Sequence, residues 1–264
     1  MKKTVVIIIA LALAAGTAFA ALGQVVASWP APANYPIAAA RANNAAYFWL
    51  YCNTSPYRIW RVNAETGAVQ SSYTSPFTSA TRGLSYNYNG GGGLPTGSYL
   101  WIGNSTTDRI YRCNYSTGSI YASIPANHDM YGGLAVMATA DGGAAPTYLL
   151  SSDSSPAMTW RQSLTSGSIY NSFATTGVYD IAWDTRNRLV WHRNGTTIYG
   201  RLTTGSIALS FSFTRGPALA FSYWGQYLWL GSTTGYHRIF KIHCPSYIPD
   251  VVPTSVGKVK AIFK

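Results

Sequence analysis

Hydrophobic and polar residues alternate along this chain in short runs, and each run ends in a turn that contains glycine, proline or asparagine. Alternation with a period of two predicts β-strands that bury one face, and the turn residues separate successive strands. Charged residues make up only 10% of the chain, a composition that disfavours long surface helices. The pattern therefore predicts an all-β protein built from many short strands.

One unit of this pattern occurs five times. Its second element reads YFWLY from Tyr47, YLWIG from Tyr99, YLLSS from Tyr148, RLVWH from Arg188 and YLWLG from Tyr227. Its third element reads RIWRV from Arg58, RIYRC from Arg109, MTWRQ from Met158, TIYGR from Thr197 and RIFKI from Arg238. A small apolar run such as GLSYN from Gly83 precedes these elements, and a Thr-Gly hairpin such as TGSIYASIP from Thr117 follows them. Each unit thus has four strands, which is typical of a propeller blade.

The first copy of the closing hairpin, GQVVASWPAP from Gly23, belongs to no unit of its own. The fifth unit, in contrast, runs into HCPSYIPDVVP without a glycine hairpin or a fourth strand. We therefore predict a five-bladed β-propeller of four-stranded antiparallel blades, closed by the N-terminal strand pairing into the last blade. Loss of that strand would expose a blade edge and several apolar side chains.

The sequence predicts three segments. Residues 1–20 have Lys2 and Lys3, an apolar run and an Ala18-Phe19-Ala20 site, the pattern of a bacterial signal peptide cleaved near Ala20. The propeller is expected over residues 21–247, with a closing strand at 23–32 and a C-terminal tail at 248–264. Blades are predicted near residues 33–76, 77–125, 126–174, 175–213 and 214–247. We expect a monomer that is secreted or associated with the cell envelope, without a membrane-spanning helix after removal of the signal.

Charge and cysteine content narrow the choice of partner. The formal net charge of +11 falls to +9 when Lys2 and Lys3 leave with the signal peptide. A basic surface on an exported protein suits an anionic glycan or a surface protein as partner, and it makes nucleic acid less suitable because the protein would act outside the cell. A need for solubility explains the positive charge equally well. Three cysteines, Cys52, Cys113 and Cys244, allow one disulfide, and the sequence does not choose the pair.

The repeat, G-L followed by Y-L-W-I/L-G, R-I-Y/F-R/K and T-G-x-V/I, resembles the blades of secreted bacterial propellers. It is most similar to the group with NHL and YVTN-type repeats and the five-bladed plant-type glutaminyl cyclotransferases, over residues 23 to about 246. This resemblance implies the fold, and propellers have many unrelated functions. Those cyclotransferases carry a glutamate just after the second strand of an early blade. The matching segments LYCNTS and IGNSTT contain no acid, and the chain's one glutamate, Glu65, lies beside a hairpin turn.

Loops around one end of the central channel are the expected site of ligand binding. The predicted channel-mouth residues are Tyr35, Arg82, His128, Asp129, Tyr131, Tyr179, Asp180 and Arg215. Loops between second and third strands add Tyr57, Asp108, Asp153, Arg193 and His237. His128 and Asp129 near Asp180 could form an acid/base pair; alternatively, Asp180 caps a turn or pairs with Arg82 or Arg215. No histidine spacing suits a metal and no glycine-rich loop suits a phosphate cofactor, so neither is predicted.

These observations favour a binding or scaffold module whose ligand, an anionic glycan or a protein, meets the channel mouth. An extracellular lyase or transferase, cyclotransferase-like and using the same site, is the alternative. A purely structural surface protein is the third hypothesis.

Overall fold

The alternating segments form twenty β-strands among the residues that the computed structural model describes. These residues are 21–41, 46–87, 93–140, 144–175, 180–215, 218–224, 226–232 and 237–244. The predicted signal peptide and C-terminal tail lie outside them. Within the described residues there is no helix of the length and apolarity needed to cross a membrane.

The strands are grouped into five antiparallel four-stranded sheets, each of which is one blade. Blade 1 contains β2 (Pro36–Arg41), β3 (Tyr47–Cys52), β4 (Arg58–Asn63) and β5 (Val69–Thr74). Blade 2 contains β6 (Thr81–Asn87), β7 (Tyr99–Asn104), β8 (Arg109–Asn114) and β9 (Ile120–Pro125). Blade 3 contains β10 (Leu134–Ala140), β11 (Ala144–Ser154), β12 (Ala157–Gln162) and β13 (Ile169–Ala174). Blade 4 contains β14 (Ala182–Asp184), β15 (Leu189–Asn194), β16 (Thr197–Arg201) and β17 (Ile207–Ser212). Blade 5 contains β18 (Ala218–Trp224), β19 (Tyr227–Ser232) and β20 (Arg238–His243), together with β1 (Val25–Pro30).

Blade 5 is completed by the N-terminal strand, as the sequence predicts. Strand β1 pairs antiparallel with β20, and Trp29 lies opposite Ile239. The Gly23 amide donates a hydrogen bond to the His243 carbonyl at 2.9 Å, which extends the pairing beyond the strand itself. The two ends of the described propeller are therefore held together by backbone hydrogen bonds, and the predicted fold class is confirmed.

The first strand of each blade lies at the centre of the ring and contacts the first strand of the next blade, including blade 5 against blade 1. Glycine permits the closest approaches. A Cβ atom on Gly133 would lie 2.2 Å from the Ile181 nitrogen, and one on Gly83 would lie 2.6 Å from the Leu134 nitrogen. Both distances are shorter than a carbon and a nitrogen can reach without displacement. The small residues of the first strands are thus required by crowding around the channel, as predicted.

The hydrophobic core lies between blades. In the cluster between blades 1 and 2, Trp49 stacks on Tyr86 with ring centroids 4.7 Å apart. Trp101, Trp191 and Trp229 are likewise buried in equivalent clusters.

The strand register in blade 4 differs by one residue from the sequence alignment. In blade 4, Trp191 pairs with Gly200 as Trp49 pairs with Arg61 in blade 1. Leu189 therefore occupies the place of Tyr47, one residue later than the sequence alignment at Arg188 indicates.

The three cysteines are buried in three different core clusters and none of them is oxidised to a disulfide. Burial raises the pKa of the Cys52 and Cys113 thiols to about 12, and it raises the pKa of Cys244 well above its ordinary value. A thiol with a raised pKa is a poor nucleophile because little thiolate forms. The cysteines therefore contribute to packing, and the disulfide that the sequence allowed does not form.

Candidate functional site

Loops leave the ring at two ends, which we call the upper face and the lower face. The upper face carries the loops before each first strand and those between second and third strands, because Pro36 at the start of β2 pairs with Cys52 at the end of β3. The lower face carries the loops between first and second strands and between third and fourth strands. The predicted channel mouth belongs to the upper face.

Seven of the eight predicted mouth residues belong to the described part of the chain, and Tyr179 lies outside it. Tyr35, Tyr131 and Arg215 are exposed. Asp180, in contrast, is fully buried. Asp129 is exposed as well, and Arg82 and His128 are half-buried, so Asp180 is the one described member of the predicted set that solvent does not reach.

Asp180 links two blades that are not neighbours in the ring. It precedes β14, and its Oδ1 accepts a hydrogen bond from the Ile181 amide at 3.0 Å. Its Oδ2 accepts a longer one, at 3.4 Å, from the Ala39 amide of β2 in blade 1. The carboxylate thus caps its own turn, one of the predicted alternatives, and also connects blades 4 and 1 across the channel.

His128 is held by contacts on both ring nitrogens and on one ring face. Its imidazole stacks on the Trp160 ring with centroids 3.9 Å apart and planes inclined by 11°. Nδ1 lies 2.7 Å from the Asp129 carbonyl oxygen, and Nε2 lies 2.6 Å from the Ser151 hydroxyl. A carbonyl oxygen only accepts hydrogen bonds, so Nδ1 carries the proton and Nε2 accepts from Ser151. His128 thus contacts the backbone of Asp129, and its side-chain partner is a serine that the sequence analysis did not consider.

Burial is the main cause that lowers the pKa of His128, and the nearby Asp153, Asp108 and Asp129 carboxylates oppose it. At neutral pH the imidazole is therefore uncharged. Ser151 is fully buried, so the serine and histidine pair has the hydrogen bond of a nucleophile and its base but no accessible reacting atom. The pair fixes the loop that joins blade 2 to blade 3.

Two further acids of the upper face also bind backbone amides. Asp108 Oδ1 accepts from the Met130 amide at 3.0 Å, and its φ of 48° places it in the left-handed region. Asp153 Oδ1 accepts from the Ser154 amide at 2.6 Å and from the Ser155 amide at 3.2 Å. These carboxylates are therefore engaged in loop structure.

Tyr35 lies at the rim between blades 5 and 1. Its ring meets His237 edge to face with centroids 5.2 Å apart, and its amide donates to His237 Nδ1 at 3.3 Å. Both residues have positive φ angles, 53° and 43°, which are uncommon for residues other than glycine. Arg82, farther round the ring, is near the Tyr51 hydroxyl, whose pKa burial raises to about 12.

Arg215 lies beside a second guanidinium in a pocket of about 380 Å³ between blades 4 and 5. The pocket is lined by Ser28, Thr214, Arg215, Arg238 and Phe240. Arg238 donates to the Ser28 carbonyl at 3.1 Å and to its hydroxyl at 3.0 Å, and the Arg215 guanidinium carbon is 5.9 Å from the Phe240 ring centroid. None of the lining residues that the structure describes is acidic. The pocket therefore offers two cations and two hydroxyl groups to a ligand.

Among the described residues, no three histidine, cysteine, aspartate or glutamate side chains converge to hold a metal ion. Glu65 lies in the hairpin between β4 and β5 on the lower face, and its Oε2 is 2.6 Å from Lys241 Nζ. The one glutamate of the chain is thus far in the fold from the loops that follow the second strands.

No family model matches the chain, and no curated protein matches its sequence. Among solved structures, the chain is similar to the glutaminyl cyclase of Myxococcus xanthus, with a TM-score of 0.61 and 9% sequence identity over 84% of this chain and 95% of that one. It also matches hydrazine synthase of Kuenenia stuttgartiensis, with a TM-score of 0.45 and 11% identity, over 81% of this chain and 57% of that one.

At this level of identity, the likeness to the Myxococcus enzyme shows the fold alone. The NHL or YVTN character of the repeats stays a prediction. What the comparison establishes is that this chain folds as a propeller similar to a bacterial glutaminyl cyclase.

Proposed function

We propose that this propeller is a binding module for an anionic ligand, which it holds at the upper face in the pocket of Arg215 and Arg238. The observation that carries the proposal is the presence of two guanidinium groups in a pocket whose described lining residues include no acid. Guanidinium groups bind carboxylates, sulfates and phosphates through charge-assisted hydrogen bonds. A sulfated or carboxylated glycan is the ligand class that this chemistry fits.

The third strands explain why blade 5 is special. Arg58 and Arg109 occupy the place of Arg238 in blades 1 and 2, and they donate to Ser72 and Ser123 in the same manner. This contact between an arginine and a serine therefore stabilises the pairing of two neighbouring strands within a blade. Among the described residues, blade 5 alone has a second arginine, Arg215, which lines the same pocket as the arginine of this contact.

The proposal is tested by NMR titration of the chain 21–264 with a sulfated disaccharide and its unsulfated counterpart, observing arginine Nε–Hε signals. We expect Arg215→Ala to weaken binding of the sulfated sugar about tenfold, since a hydrogen bond to a charged group contributes about 1.5–3 kcal/mol. Arg186→Ala, which removes an exposed arginine from the turn after β14, is the control and should change the affinity less than about twofold. Equal affinity of the two sugars would contradict the proposal.

The alternative of a lyase or transferase depends on His128 and Asp129. If the protein had lyase or transferase activity and His128→Asn abolished that activity while the fold persisted, the enzyme alternative would replace the binding role. If no upper-face substitution changed any binding, the hypothesis of a purely structural surface protein would remain.

Export to the envelope or the medium is part of the proposal, and the signal-like pattern of residues 1–20 supports it. Fractionation of cells that produce the full chain, with mass spectrometry of the mature N-terminus, tests it. Cleavage near Ala20 is expected, and an intact protein in the cytoplasm would contradict it.

A further inference from the structure

The lower face carries a pair of side chains that recurs in the first three blades. The pair joins a tyrosine of the second strand to an arginine near the end of the third strand. The pairs are Tyr47 with Arg61, Tyr99 with Arg112 and Tyr148 with Arg161, with the guanidinium carbon 3.5, 4.8 and 4.6 Å from the ring centroid. Stacking on tyrosine fixes the orientation of each cation and leaves its N–H groups for other partners.

These three arginines share an unmet hydrogen bond. The Nε atoms of Arg61, Arg112 and Arg161 are buried, and none of them has a hydrogen-bond partner within the described residues. None of the three arginines forms a salt bridge within the described residues, where the ion pair found joins Lys241 to Glu65. A buried donor without a partner costs free energy, and here the same cost recurs at one position in three successive blades. An anionic oxygen that reaches each guanidinium would neutralise its charge, which no acidic side chain of the described residues does.

The other two blades lack the arrangement, although their strands have the same pairing. In blade 4, Leu189 and Gly200 occupy the places of the tyrosine and the arginine. In blade 5, Tyr227 is present, but the cation is Lys241, and Glu65 neutralises it. The fold therefore does not require the pair, because two blades form without an unpaired cation there.

A second tyrosine accompanies the pair in blades 2 and 3. Each fourth strand has a β-bulge opposite the arginine, which places Tyr121 and Tyr170 out of register, and a bulge re-aims the side chain it carries. Tyr121 and Tyr170 are 55% and 58% exposed. They meet Tyr99 and Tyr148 edge to face at 5.8 and 5.0 Å. Each of these blades thus presents an exposed aromatic ring next to a stacked guanidinium.

Blade 2 shows the shape of such a site. A pocket of about 540 Å³ is lined by residues 95–98 together with Tyr99, Arg112, Asn114, Tyr115 and Tyr121. Asn114 Nδ2 donates to the Tyr121 hydroxyl at 2.8 Å, which holds the exposed ring at the pocket edge. Aromatic rings, a guanidinium and an amide are the groups that contact a sugar ring bearing a carboxylate.

We infer that the lower face of blades 1 to 3 binds an acidic polysaccharide, with one carboxylate-bearing sugar at each tyrosine and arginine pair. Repetition of one small site suits a polymer of repeating acidic units, because linked sites bind more tightly together than singly. A lipid surface fits less well. The exposed apolar residues of the fourth strands, Val69, Ile120, Ile169 and Ile207, continue into blade 4, where the cation pair is missing.

The test is calorimetric titration of the chain 21–264 with oligogalacturonate and with its methyl-esterified, uncharged form. We expect binding of the acidic form only, weakened at least tenfold in Arg112→Gln/Arg161→Gln. Tyr121→Ser/Tyr170→Ser should weaken it to a similar degree without a change in charge, and these exposed positions keep the test valid if the arginine variant does not fold. Arg186→Ala is the control for charge alone, with an expected change below twofold.

The oligogalacturonate binding that remains in Arg215→Ala should respond to the lower-face substitutions in the same way, which separates the lower-face site from the proposed upper-face pocket. Binding of the esterified form with equal affinity, or binding of neither form, would overturn the inference. Capture on phosphatidylglycerol vesicles that the two tyrosine substitutions abolish, without oligogalacturonate binding, would also overturn it and assign the face to a lipid surface.

Discussion

The upper and lower faces of this propeller are made by the same five blades, yet their polar groups differ in how they are satisfied. On the upper face, Asp180 and His128 are bonded within the protein, to backbone amides, a carbonyl oxygen and a hydroxyl. On the lower face, the Nε atoms of Arg61, Arg112 and Arg161 have no hydrogen-bond partner among the described residues. Groups of the first kind stabilise loops, whereas the lower-face guanidinium groups carry charge that no acidic side chain of the described residues neutralises.

This difference predicts that substitutions on the two faces will have different effects. Removal of a satisfied buried group leaves its partner unpaired and lowers the free energy of unfolding. Removal of an unsatisfied cation relieves a cost and should change ligand affinity more than stability. Three experiments, in order of decreasing effect, test the common scaffold, the upper face and the lower face.

Deletion of residues 21–31 should have the largest effect, because it removes β1 and with it the closure on which both faces depend. The free edge of β20 and the core side chains around Trp29 would become exposed. We expect a loss of more than about 3 kcal/mol in the free energy of unfolding, or a decrease of roughly 10 °C in Tm. Thermal unfolding followed by circular dichroism measures it.

A chain shortened by residues 253–264, which the sequence places outside the propeller, is the control for truncation. Equal unfolding temperatures for the two shortened chains would show that the ring does not depend on β1.

His128→Ala should have an intermediate effect on the upper face, about 2 kcal/mol, because it removes the stacking on Trp160 and leaves the buried Ser151 hydroxyl unpaired. The native protein should also lose stability as the pH falls below about 6.5. Its folded state has a lowered His128 pKa, so the unfolded state takes up the proton first. This loss ends once the pH is below the folded value.

Urea unfolding between pH 7.5 and 4.5 measures both effects. The variant should lack the part of the pH dependence that His128 contributes, and Arg112→Gln on the lower face should retain it. An identical pH profile for the native protein and His128→Ala would contradict the assigned role.

Glu65→Gln should have the smallest effect on stability, because Glu65 is 61% exposed in its ion pair with Lys241; we expect a loss below about 1 kcal/mol. The substitution frees the Lys241 cation and makes blade 5 more like blades 1 to 3. Affinity for oligogalacturonate should therefore rise by roughly twofold to threefold. Calorimetry measures the gain, and the gain should vanish when Lys241→Gln is added. No change in affinity would show that blade 5 does not reach the bound polymer.

Much of the fold could be predicted because each blade repeats its own local signals. The short apolar run YLWIG, the third-strand segment RIYRC and the glycine of each hairpin are properties of short segments. The orphan strand at Gly23 and the missing strand after β20 together predict closure, since both are visible as an imbalance in the repeat. Blade 4 was misaligned by one residue because Leu189 and Gly200 have replaced the tyrosine and arginine that mark the register elsewhere.

The candidate sites were less predictable. Trp160 belongs to the repeated third element MTWRQ, and only the structure shows that its ring stacks on His128. Ser151 was not considered because 23 residues separate it from that histidine. The lower-face arginines were visible in the repeat as part of the blade. Their lack of hydrogen-bond partners depends on atoms from several strands, which no single segment contains.

The sequence by itself determined the all-β class, the number of blades and the strand that closes the ring, because hydrophobic alternation and turn chemistry act over a few residues at a time. Tertiary structure alone decided that Asp180 bonds across the channel to blade 1, that the three cysteines stay apart, and that Arg215 shares a pocket with Arg238. The physical reason is that hydrogen-bond satisfaction and burial depend on distances between segments that are remote along the chain.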